Sequence, residues 1–259
     1  MSIHPSAIVS KTAKLGENIT IGPFAIIADD VVVGDGCRVD AGAQLMNGSR
    51  VGNNCRIGSG ALISADPHYI GFDVSITSGV VIGDNNIIRE YVTLHRSVEP
   101  GGTTVIGNDN YLMNGAHVGH DCIVGNGNTL ANNVLLGGHV SVADFCFLGG
   151  GSAVHQFVRI GSYVMAQGLA AATLDVPPYL IIAGMNNVFG VNSVGLKRAG
   201  LDPAARKGIK EAYRLIYRGS QTLEEVLKAS EAEVFRPEVQ AFYDFFRDKS
   251  TRGVLIRSK

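Results

Sequence analysis

Aliphatic residues recur at every sixth position from the N-terminus to about residue 160. Counted from Ile3, each sixth residue is aliphatic as far as Ile63; after an interruption the count continues, one residue out of phase, from Ile76 to Ile160, with Pro100 as its exception. A helix repeats every 3.6 residues and an exposed strand every two, so neither produces this period. A parallel β-helix of hexapeptide repeats does, because each face turns one aliphatic side chain inward and three faces close a coil of about 18 residues.

Helix signals replace the six-residue period towards the C-terminus. Asp202 precedes Pro203 as a helix start, and the stretch from Thr222 to Glu225 fits a capping box. These signals predict helices over residues 203–218, 222–234 and Pro237 to about Asp248.

The change of pattern, which begins near Pro177, divides the chain into two domains. We predict a parallel β-helix over residues 1–185 and an α-helical domain over residues 186–259. Because helices cannot extend a solenoid of strands, the second domain is expected to cover its end.

Composition and charge narrow the classes of function. Of 259 residues, 46% are hydrophobic, 33 are glycine and none is tryptophan, which favours a backbone with many tight corners. The net charge of -1 gives no sign of nucleic-acid binding, which depends on a basic surface. Neither a signal peptide nor a transmembrane segment is recognisable, so we predict a cytoplasmic protein.

The four cysteines are Cys37, Cys55, Cys122 and Cys146. Each stands four residues after a periodic aliphatic residue, where other repeats carry alanine or serine. No CxxC pair or zinc-ribbon spacing is present. We predict that they are small buried side chains without a disulfide, metal or redox role.

Two stretches interrupt the period, residues 64–75 (SADPHYIGFDVS) and residues 97–104 (SVEPGGTT). Insertions in a solenoid leave it as surface loops and often carry binding residues. Both are candidate walls of a substrate site.

Polar residues that carry chemistry converge in the stretch GAHVGHDCIVG, at residues 115–125. Residues 18 apart share a column of the solenoid, about 4.8 Å from one another, so His120, Gly138 and Gln156 stack, and Asp121 lies under His139. These side chains follow periodic residues at a corner, where they point outward. An imidazole beside a carboxylate suits general base catalysis, and the backbone at Gly138 offers an N–H to an oxyanion.

Two other interpretations of this corner stay open. Histidine clusters bind zinc, and His117, His120 and His139 could form the metal centre of a zinc-dependent hydratase or hydrolase. A non-catalytic scaffold is the second alternative, and it predicts that His120→Ala changes no activity.

Several motifs resemble a known family, the left-handed β-helix acyltransferases, and within it the UDP-N-acetylglucosamine acyltransferases. The motifs, which stand in family order along nearly the whole chain, are NGAHVGHDC, GGHVSV, AVHQF, DVPPY, FGVNSVGLKRAG and FFRDKSTRGVL. The resemblance implies transfer of a (3R)-3-hydroxyacyl chain from acyl carrier protein to the 3-position of UDP-N-acetylglucosamine, the first step of lipid A biosynthesis. It also implies a left-handed coil, a homotrimer with sites between subunits, and neither metal nor other cofactor. A small-acyl coenzyme A enzyme is disfavoured by VNSVGLKRAG, which such chains usually lack.

Roles are carried over by position in these motifs. The resemblance implies that His120 is the catalytic base, Asp121 its partner and Gly138 the oxyanion donor. The residues implied to bind substrate are His117, His139, His155, Gln156, Asn192 and Arg198, the last two on the nucleotide. Gly168 falls where the family sets acyl length by side-chain bulk, so a glycine implies room for a longer chain, although Gln167 adjoins it.

The chain also departs from the family pattern. Where many members carry an aspartate that contacts the sugar, the loop ADPHYIGFD offers either Asp66 or Tyr69, with His68 between them. Val194 replaces a glutamate and Ala199 an arginine of familiar members. The acceptor atom is therefore either a 3-hydroxyl or a 3-amine, and a different nucleotide sugar stays an alternative.

A basic stripe on the first predicted helix suggests a protein partner independently of the motifs. The residues that repeat every four positions are Arg206, Lys210, Arg214 and Arg218. Acyl carrier proteins are acidic, so this stripe could steer their approach, with an ordinary solvated helix face as the alternative.

Overall fold

The computed structural model describes residues 1–256, and over them the chain forms a three-faced parallel β-helix followed by α-helices. This confirms the predicted fold class, a left-handed parallel β-helix with a C-terminal helical domain. The strands are mostly two residues long because an aliphatic residue points inward and the chain turns shortly afterwards.

Each face of the described solenoid is one sheet. The first face contains β1 (Ser2–Ile3), β4 (Thr20–Ile21), β7 (Arg38–Val39), β10 (Arg56–Ile57), β13 (Ile87–Ile88), β16 (Tyr111–Leu112), β19 (Thr129–Leu130), β22 (Phe147–Leu148), β25 (Met165–Ala166), β27 (Leu180–Ala183) and β28 (Asn187–Val191). The second face contains β2 (Ile8–Val9), β5 (Ile26–Ile27), β8 (Gln44–Leu45), β11 (Leu62–Ala65), β14 (Thr93–His95), β17 (His117–Val118), β20 (Leu135–Leu136), β23 (Ala153–Val154) and β26 (Ala171–Ala172). The third face contains β3 (Lys14–Leu15), β6 (Val32–Val33), β9 (Ser49–Val51), β12 (Gly79–Ile82), β15 (Thr103–Ile106), β18 (Ile123–Val124), β21 (Ser141–Val142) and β24 (Arg159–Ile160).

The register between neighbouring coils follows the predicted spacing wherever no loop is inserted. His117 pairs with Leu135, 18 residues on. Across the first loop Arg56 pairs with Ile87, and across the second Thr93 pairs with His117, because the inserted residues leave the solenoid and the strands on either side still stack. The antiparallel pair β27–β28 ends the parallel stack.

The core is the column of inward aliphatic residues, and the four cysteines belong to it as buried free thiols, as predicted. The column weakens at its start, where Ile3 is 41% exposed because the first coil has no coil beneath it. The expected return of the period at Ile76 is wrong. Ile76 lies in the first loop, where its carbonyl accepts a hydrogen bond from Arg96, and buried aliphatic residues resume at Val80.

The predicted C-terminal helices are present, with one shorter than expected. Their bounds are α2 (Pro203–Arg218), α3 (Leu223–Ser230) and α4 (Pro237–Arg247). Asp202 caps α2, and Thr222 and Glu225 form the predicted capping box of α3. The expectation that α3 reaches residue 234 is wrong. After Ser230 the backbone amides donate to carbonyls three residues back in place of the four of an α-helix. Pro237 then disfavours helical geometry at the residue before it.

Sequence reasoning missed the short helix α1 (Ser193–Arg198), which Asn192 caps by accepting a hydrogen bond from the Gly195 amide. The helices bury their own apolar cluster against the end of the solenoid, including Tyr179, Leu180 and Phe242. The last three residues of the predicted C-terminal domain lie outside the described residues. Among residues 1–256 no helix is long and apolar enough to cross a membrane.

Candidate active site

The catalytic candidates lie where the second face turns into the third. Asp121 and His139 each occupy the turn position of a coil, with φ of 60° and 59°. This left-handed backbone swings both side chains out of the coil. His120 Nδ1 lies 2.8 Å from Asp121 Oδ2, so the proposed base and its partner are in contact.

Hydrogen bonds hold Asp121 in an ionised, oriented state. Burial alone would raise the pKa of this carboxyl, but hydrogen bonds from Ser97, His120 and the Val98 amide outweigh it and keep the pKa below its ordinary value. The Asp121 amide in turn donates to Thr104 Oγ1 at 2.8 Å. An ionised carboxylate accepts only, so it holds the proton of His120 on Nδ1 and leaves Nε2 with a free lone pair.

Gly138 lies directly against the imidazole of His120, as the 18-residue column predicted. A Cβ at this position would stand 2.6 Å from both Cε1 and Nε2 of His120, so a side chain here would displace the ring. Within residues 1–256 the Gly138 amide donates no hydrogen bond. A free N–H beside an unprotonated imidazole nitrogen is an arrangement that can stabilise an oxyanion while a proton is removed nearby.

His139 closes the other side of this corner. Its ring stacks on Phe157 at 4.6 Å and meets His120 edge to face at 5.1 Å. Its Nε2 lies 3.9 Å from Asp121 Oδ2. The exposed Gln156 follows Gly138 in the same column.

An apolar groove of about 340 Å³ runs along the outer side of the second face. His117 and the exposed His155 both line this groove. The outward residues Leu135, Ala153 and Ala171 line it as well. The small outward side chains of Ala153 and Ala171 leave room for an extended apolar ligand, and the two histidines provide polar contacts along its side.

The first inserted loop brings two of its three candidate residues to this region. The ring of Tyr69 lies 6.2 Å from that of His120, and the ring of His68 stacks on that of His117 at 5.5 Å. Asp66 instead forms an ion pair with Arg96 at 2.8 Å, which holds the loop. Of the two residues considered for the sugar contact, Tyr69 is therefore the one beside the base.

The nucleotide candidates lie on another face. Asn192 and Arg198 line a depression of about 460 Å³ on the first face, together with Val194 and Ala199, the two positions that depart from the family. Aromatic side chains form its floor, among them Phe147. Gly168 lies away from both the His120 corner and the nucleotide candidates, at the edge between the first and second faces. A Cβ there would meet only the Gly150 carbonyl oxygen, at 3.4 Å.

Three residues of the predicted basic stripe line one groove. Lys210, Arg214 and Arg218 border a groove of about 930 Å³ together with Val191 and Ser193. Arg206 is turned away from it, since its Nε donates to the Leu201 carbonyl at 3.1 Å.

Ser97 and Thr104, which fix Asp121, were missed from the sequence, and so were Thr93 and His95. The signal was present in the period itself. Leu94 and Val118 are both periodic residues and pair across the second loop, so a spacing of 24 places Ser97 beneath Asp121. The metal alternative grouped His117 with His120 and His139, whereas within the described residues His117 clusters with His68 and His95 instead.

The solenoid and the His120 corner together define a hexapeptide-repeat acyltransferase. Residues 12–43, 30–65 and 103–138 match the bacterial transferase hexapeptide family, and residues 175–255 match the family described as UDP N-acetylglucosamine O-acyltransferase, domain 2. The chain is 45% identical over 257 residues to the acyl-[acyl-carrier-protein]–UDP-N-acetylglucosamine O-acyltransferase of Aliivibrio fischeri (strain MJ11), covering 98% of this chain and 97% of that one. The chain belongs to the UDP-N-acetylglucosamine O-acyltransferase family.

Solved structures of the same family have the same fold as this chain. The UDP-N-acetylglucosamine acyltransferase from Bacteroides fragilis 9343 superposes with a TM-score of 0.91 at 39% identity, over 97% of this chain and 99% of that one. The enzyme from Campylobacter jejuni superposes with a TM-score of 0.92 at 31% identity, over 99% of this chain and 100% of that one.

Proposed function

We propose that this protein transfers a (3R)-3-hydroxyacyl chain from acyl carrier protein to the 3-position of UDP-N-acetylglucosamine or of its 3-amino analogue, the first step of lipid A biosynthesis. The observation that carries the proposal is the contact of His120 with Asp121 at 2.8 Å beside the free amide of Gly138. The acyl carrier protein is the donor, and no further cofactor enters the proposal. These substrates are cytoplasmic molecules, and we extend the proposal to a cytoplasmic location.

In the proposed mechanism, Nε2 of His120 removes the proton from the acceptor's hydroxyl or amine as that atom attacks the thioester carbonyl carbon. The oxyanion that forms accepts a hydrogen bond from the Gly138 amide. Asp121 stabilises the imidazolium, which has taken up one proton. Collapse of the intermediate breaks the carbon–sulfur bond, and the imidazolium returns its proton to the leaving thiolate.

We propose that the enzyme works as a homotrimer, with each site shared by two chains. Three sets of candidate residues support a site shared between chains, because they lie on different parts of the three-faced solenoid. The base His120 lies at the edge between the second and third faces, Gly168 at the edge between the first and second, and Asn192 and Arg198 on the first face. One chain alone does not bring them together, whereas a neighbouring copy presents its first face to the other's second.

In this arrangement residues 1–185 form the catalytic domain, and residues 186–259 contribute the nucleotide and carrier-protein contacts. His117 and His155 line the groove along the second face. The proposal assigns substrate contacts to these two residues and to His139 and Gln156 near the base. Tyr69 and His68 cover the acceptor, with Asp66 holding their loop through Arg96. Gly168 leaves the end of the acyl path open.

An assay by mass spectrometry tests the reaction directly. Purified protein is offered 3-hydroxyacyl carrier proteins of graded length with UDP-N-acetylglucosamine and, in parallel, its 3-amino analogue. We expect product with at least one acceptor, and a preference for longer chains because Gly168 has no side chain. Ester alone assigns the 3-hydroxyl and amide alone the 3-amine. No product with either acceptor would contradict the proposed function.

The carrier-protein contact predicts a charge effect. The double reversal Arg214→Glu and Arg218→Glu should raise the apparent KM for acyl carrier protein about 10-fold at low salt, because it removes the steering of an acidic partner. The KM for the nucleotide sugar should not change.

The matched control is the double reversal Lys228→Glu and Lys249→Glu, which changes the net charge equally at exposed positions outside the groove. It should leave the KM for acyl carrier protein within about twofold, since only distant and screened charges are altered. Equal effects of both double variants, or no effect of either at low salt, would rule out a contact at this groove.

A further inference from the structure

The first inserted loop lacks the backbone ladder that holds neighbouring coils together. The backbone hydrogen bonds within residues 67–76 are local, such as the one from the Phe72 amide to the Tyr69 carbonyl at 3.1 Å. Among the described residues, every hydrogen bond that joins residues 67–76 to the rest of the chain comes from one side chain, that of Arg96. The placement of this loop therefore depends on a single guanidinium.

Arg96 contacts both ends of the loop at once. Its Nε donates to Asp66 Oδ1 at 2.8 Å, where the loop begins, and its Nη2 donates to the Val74 carbonyl at 3.0 Å, where the loop returns. Its Nη1 donates to the Ile76 carbonyl. The centre of the Phe72 ring lies 4.7 Å from the guanidinium carbon. Arginine suits this place because its planar head presents five N–H donors in fixed directions, whereas an ammonium group is a single point.

Arg96 also connects the loop with the carboxylate beside the proposed base. Its Nη1 donates to Ser78 Oγ at 3.2 Å, and that hydroxyl donates to the Ser97 carbonyl at 2.6 Å. The Ser97 hydroxyl in turn donates to the carboxylate of Asp121. Arg96, Ser78 and Ser97 are all buried, so water does not compete for these bonds. One short segment of the chain, residues 96–97, thus holds both the loop and the carboxylate.

The side chain that this loop brings to the base is Tyr69. Its ring lies 6.2 Å from that of His120 and is 58% exposed. Among the described residues its phenolic hydroxyl forms no hydrogen bond, so only the loop determines where that hydroxyl lies. A phenol can donate and accept, so it can bind a hydroxyl or an amine of an acceptor.

We propose that Arg96 is a positioning residue for the acceptor: it fixes the first inserted loop so that the Tyr69 hydroxyl meets the sugar beside His120. The inference rests on the proposed acyl transfer and adds to it the residue that determines how firmly the acceptor is held. Arg96 lies under the loop and acts through Tyr69.

Arg96→Met tests the proposal, since it keeps most of the stem of the side chain and removes every donor. The side chain of Asp66 is 58% exposed, so no buried charge loses its partner and the fold should be kept. We expect the KM for the nucleotide sugar to rise about 10-fold, roughly the loss of one hydrogen bond. The kcat should stay within about threefold and the KM for acyl carrier protein should not change. Arg96→Lys should recover little, because an ammonium cannot reach both ends of the loop.

A double-mutant cycle with Tyr69→Ala separates positioning from general damage. If Arg96 acts through Tyr69, each single variant raises the KM for the sugar by a similar factor. The double variant Arg96→Met with Tyr69→Ala should then be no worse than Tyr69→Ala alone. Effects that multiply, or a KM for the sugar that is unchanged in Arg96→Met, would overturn the proposal.

Arg50→Met is the matched control. Arg50 also pairs with an aspartate, Asp30, at 2.7 Å, and donates to the Asp30 carbonyl at 2.8 Å, but it holds no part of the first inserted loop. This variant should leave both KM values within about twofold. A rise in the KM for the sugar as large as that of Arg96→Met would show that any such arginine matters equally, and the proposal would fail.

Hydrogen–deuterium exchange followed by mass spectrometry reports the loop without any substrate. The amides of residues 67–76 should exchange faster in Arg96→Met than in the unchanged protein, while those of the solenoid strands should not change, because only the loop loses its anchor. Unchanged exchange in this segment overturns the proposal. If the unchanged protein turns over neither acceptor, the proposed function fails, and the exchange alone decides whether Arg96 holds the loop.

Discussion

Replacing His120 with alanine should lower kcat for acyl transfer at least about 10²-fold, because general base catalysis by a positioned imidazole contributes roughly 10² to 10⁴. KM should change little, since the base acts on a proton that moves only in the transition state. The measurement is steady-state turnover with acyl carrier protein and the acceptor identified by mass spectrometry. Thermal unfolding checks the fold of the variant. The fold should be kept, because the His120 side chain lies at a corner of the solenoid and outside its aliphatic core.

The Asp121→Asn variant sharpens this prediction. An asparagine amide can donate to Nδ1, which moves the imidazole proton to Nε2 and removes the lone pair that accepts the substrate's proton. Turnover should therefore fall by about 10² even though the shape of the site is nearly kept. Ser97→Ala should have a smaller effect than either, since it removes only one of the hydrogen bonds that orient Asp121.

A folded His120→Ala protein with turnover within about threefold of the original would exclude His120 as the base. His139 would then be the next residue to test, because its ring lies 5.1 Å from that of His120. Loss of activity in Asp121→Asn but not in His120→Ala would assign the carboxylate a role on the substrate in place of a role on the imidazole.

Much of this site was accessible from the sequence because a solenoid converts spacing into distance. The aliphatic period identifies the coil, and the 18-residue coil places His120 against Gly138 and Asp121 beside His139. The same rule holds across the second loop only with a spacing of 24, which is why Ser97 was missed. Thr104 lies 17 residues before Asp121, one short of the regular spacing, and was missed for that reason. Where the period is continuous, backbone hydrogen bonds determine which residues meet.

The parts that could not be predicted depend on loops and on interactions between domains. The first loop has no period, so the positions of His68 and Tyr69 depend on the ion pair of Asp66 with Arg96. The six-residue helix α1 is too short to leave a pattern, and only the cap at Asn192 marks it. The early end of α3 reflects turns that no residue type enforces. In each case side-chain contacts decide the structure after the backbone pattern has ended.

One such contact joins the two domains and supports the second large prediction. The Asp175 carboxylate is 0% exposed, and it accepts hydrogen bonds from the Arg159 amide at 2.8 Å and from Arg159 Nε at 2.7 Å. The Arg159 guanidinium also lies over the Phe245 ring of α4 at 4.6 Å. The backbone of Asp175 pairs with Gly253 and Leu255 near the C-terminus, so the pair lies where the solenoid, α4 and the returning chain meet.

Arg159→Met should lower the free energy of unfolding by about 3–5 kcal/mol, because it keeps the volume of the side chain's stem but leaves the Asp175 carboxylate buried without its cation. The measurement is urea unfolding at one fixed protein concentration, since subunit association would otherwise shift the midpoint. Arg38→Met is the control. It breaks the pair of Arg38 with Asp40, in which the arginine side chain is 59% exposed, and should cost at most about 1 kcal/mol.

The double variant Arg159→Met with Asp175→Asn separates the buried charge from the lost packing. Neutralising the carboxylate removes the unpaired charge, so the double variant should recover part of the stability lost in Arg159→Met, and the two substitutions should be strongly non-additive. If Arg159→Met costs no more than Arg38→Met, water must reach the Asp175 carboxylate, and the ion pair does not hold the helical domain on the solenoid. If the double variant is no more stable than Arg159→Met, the loss comes from the Phe245 contact, and the domains are joined by packing on the arginine stem and ring.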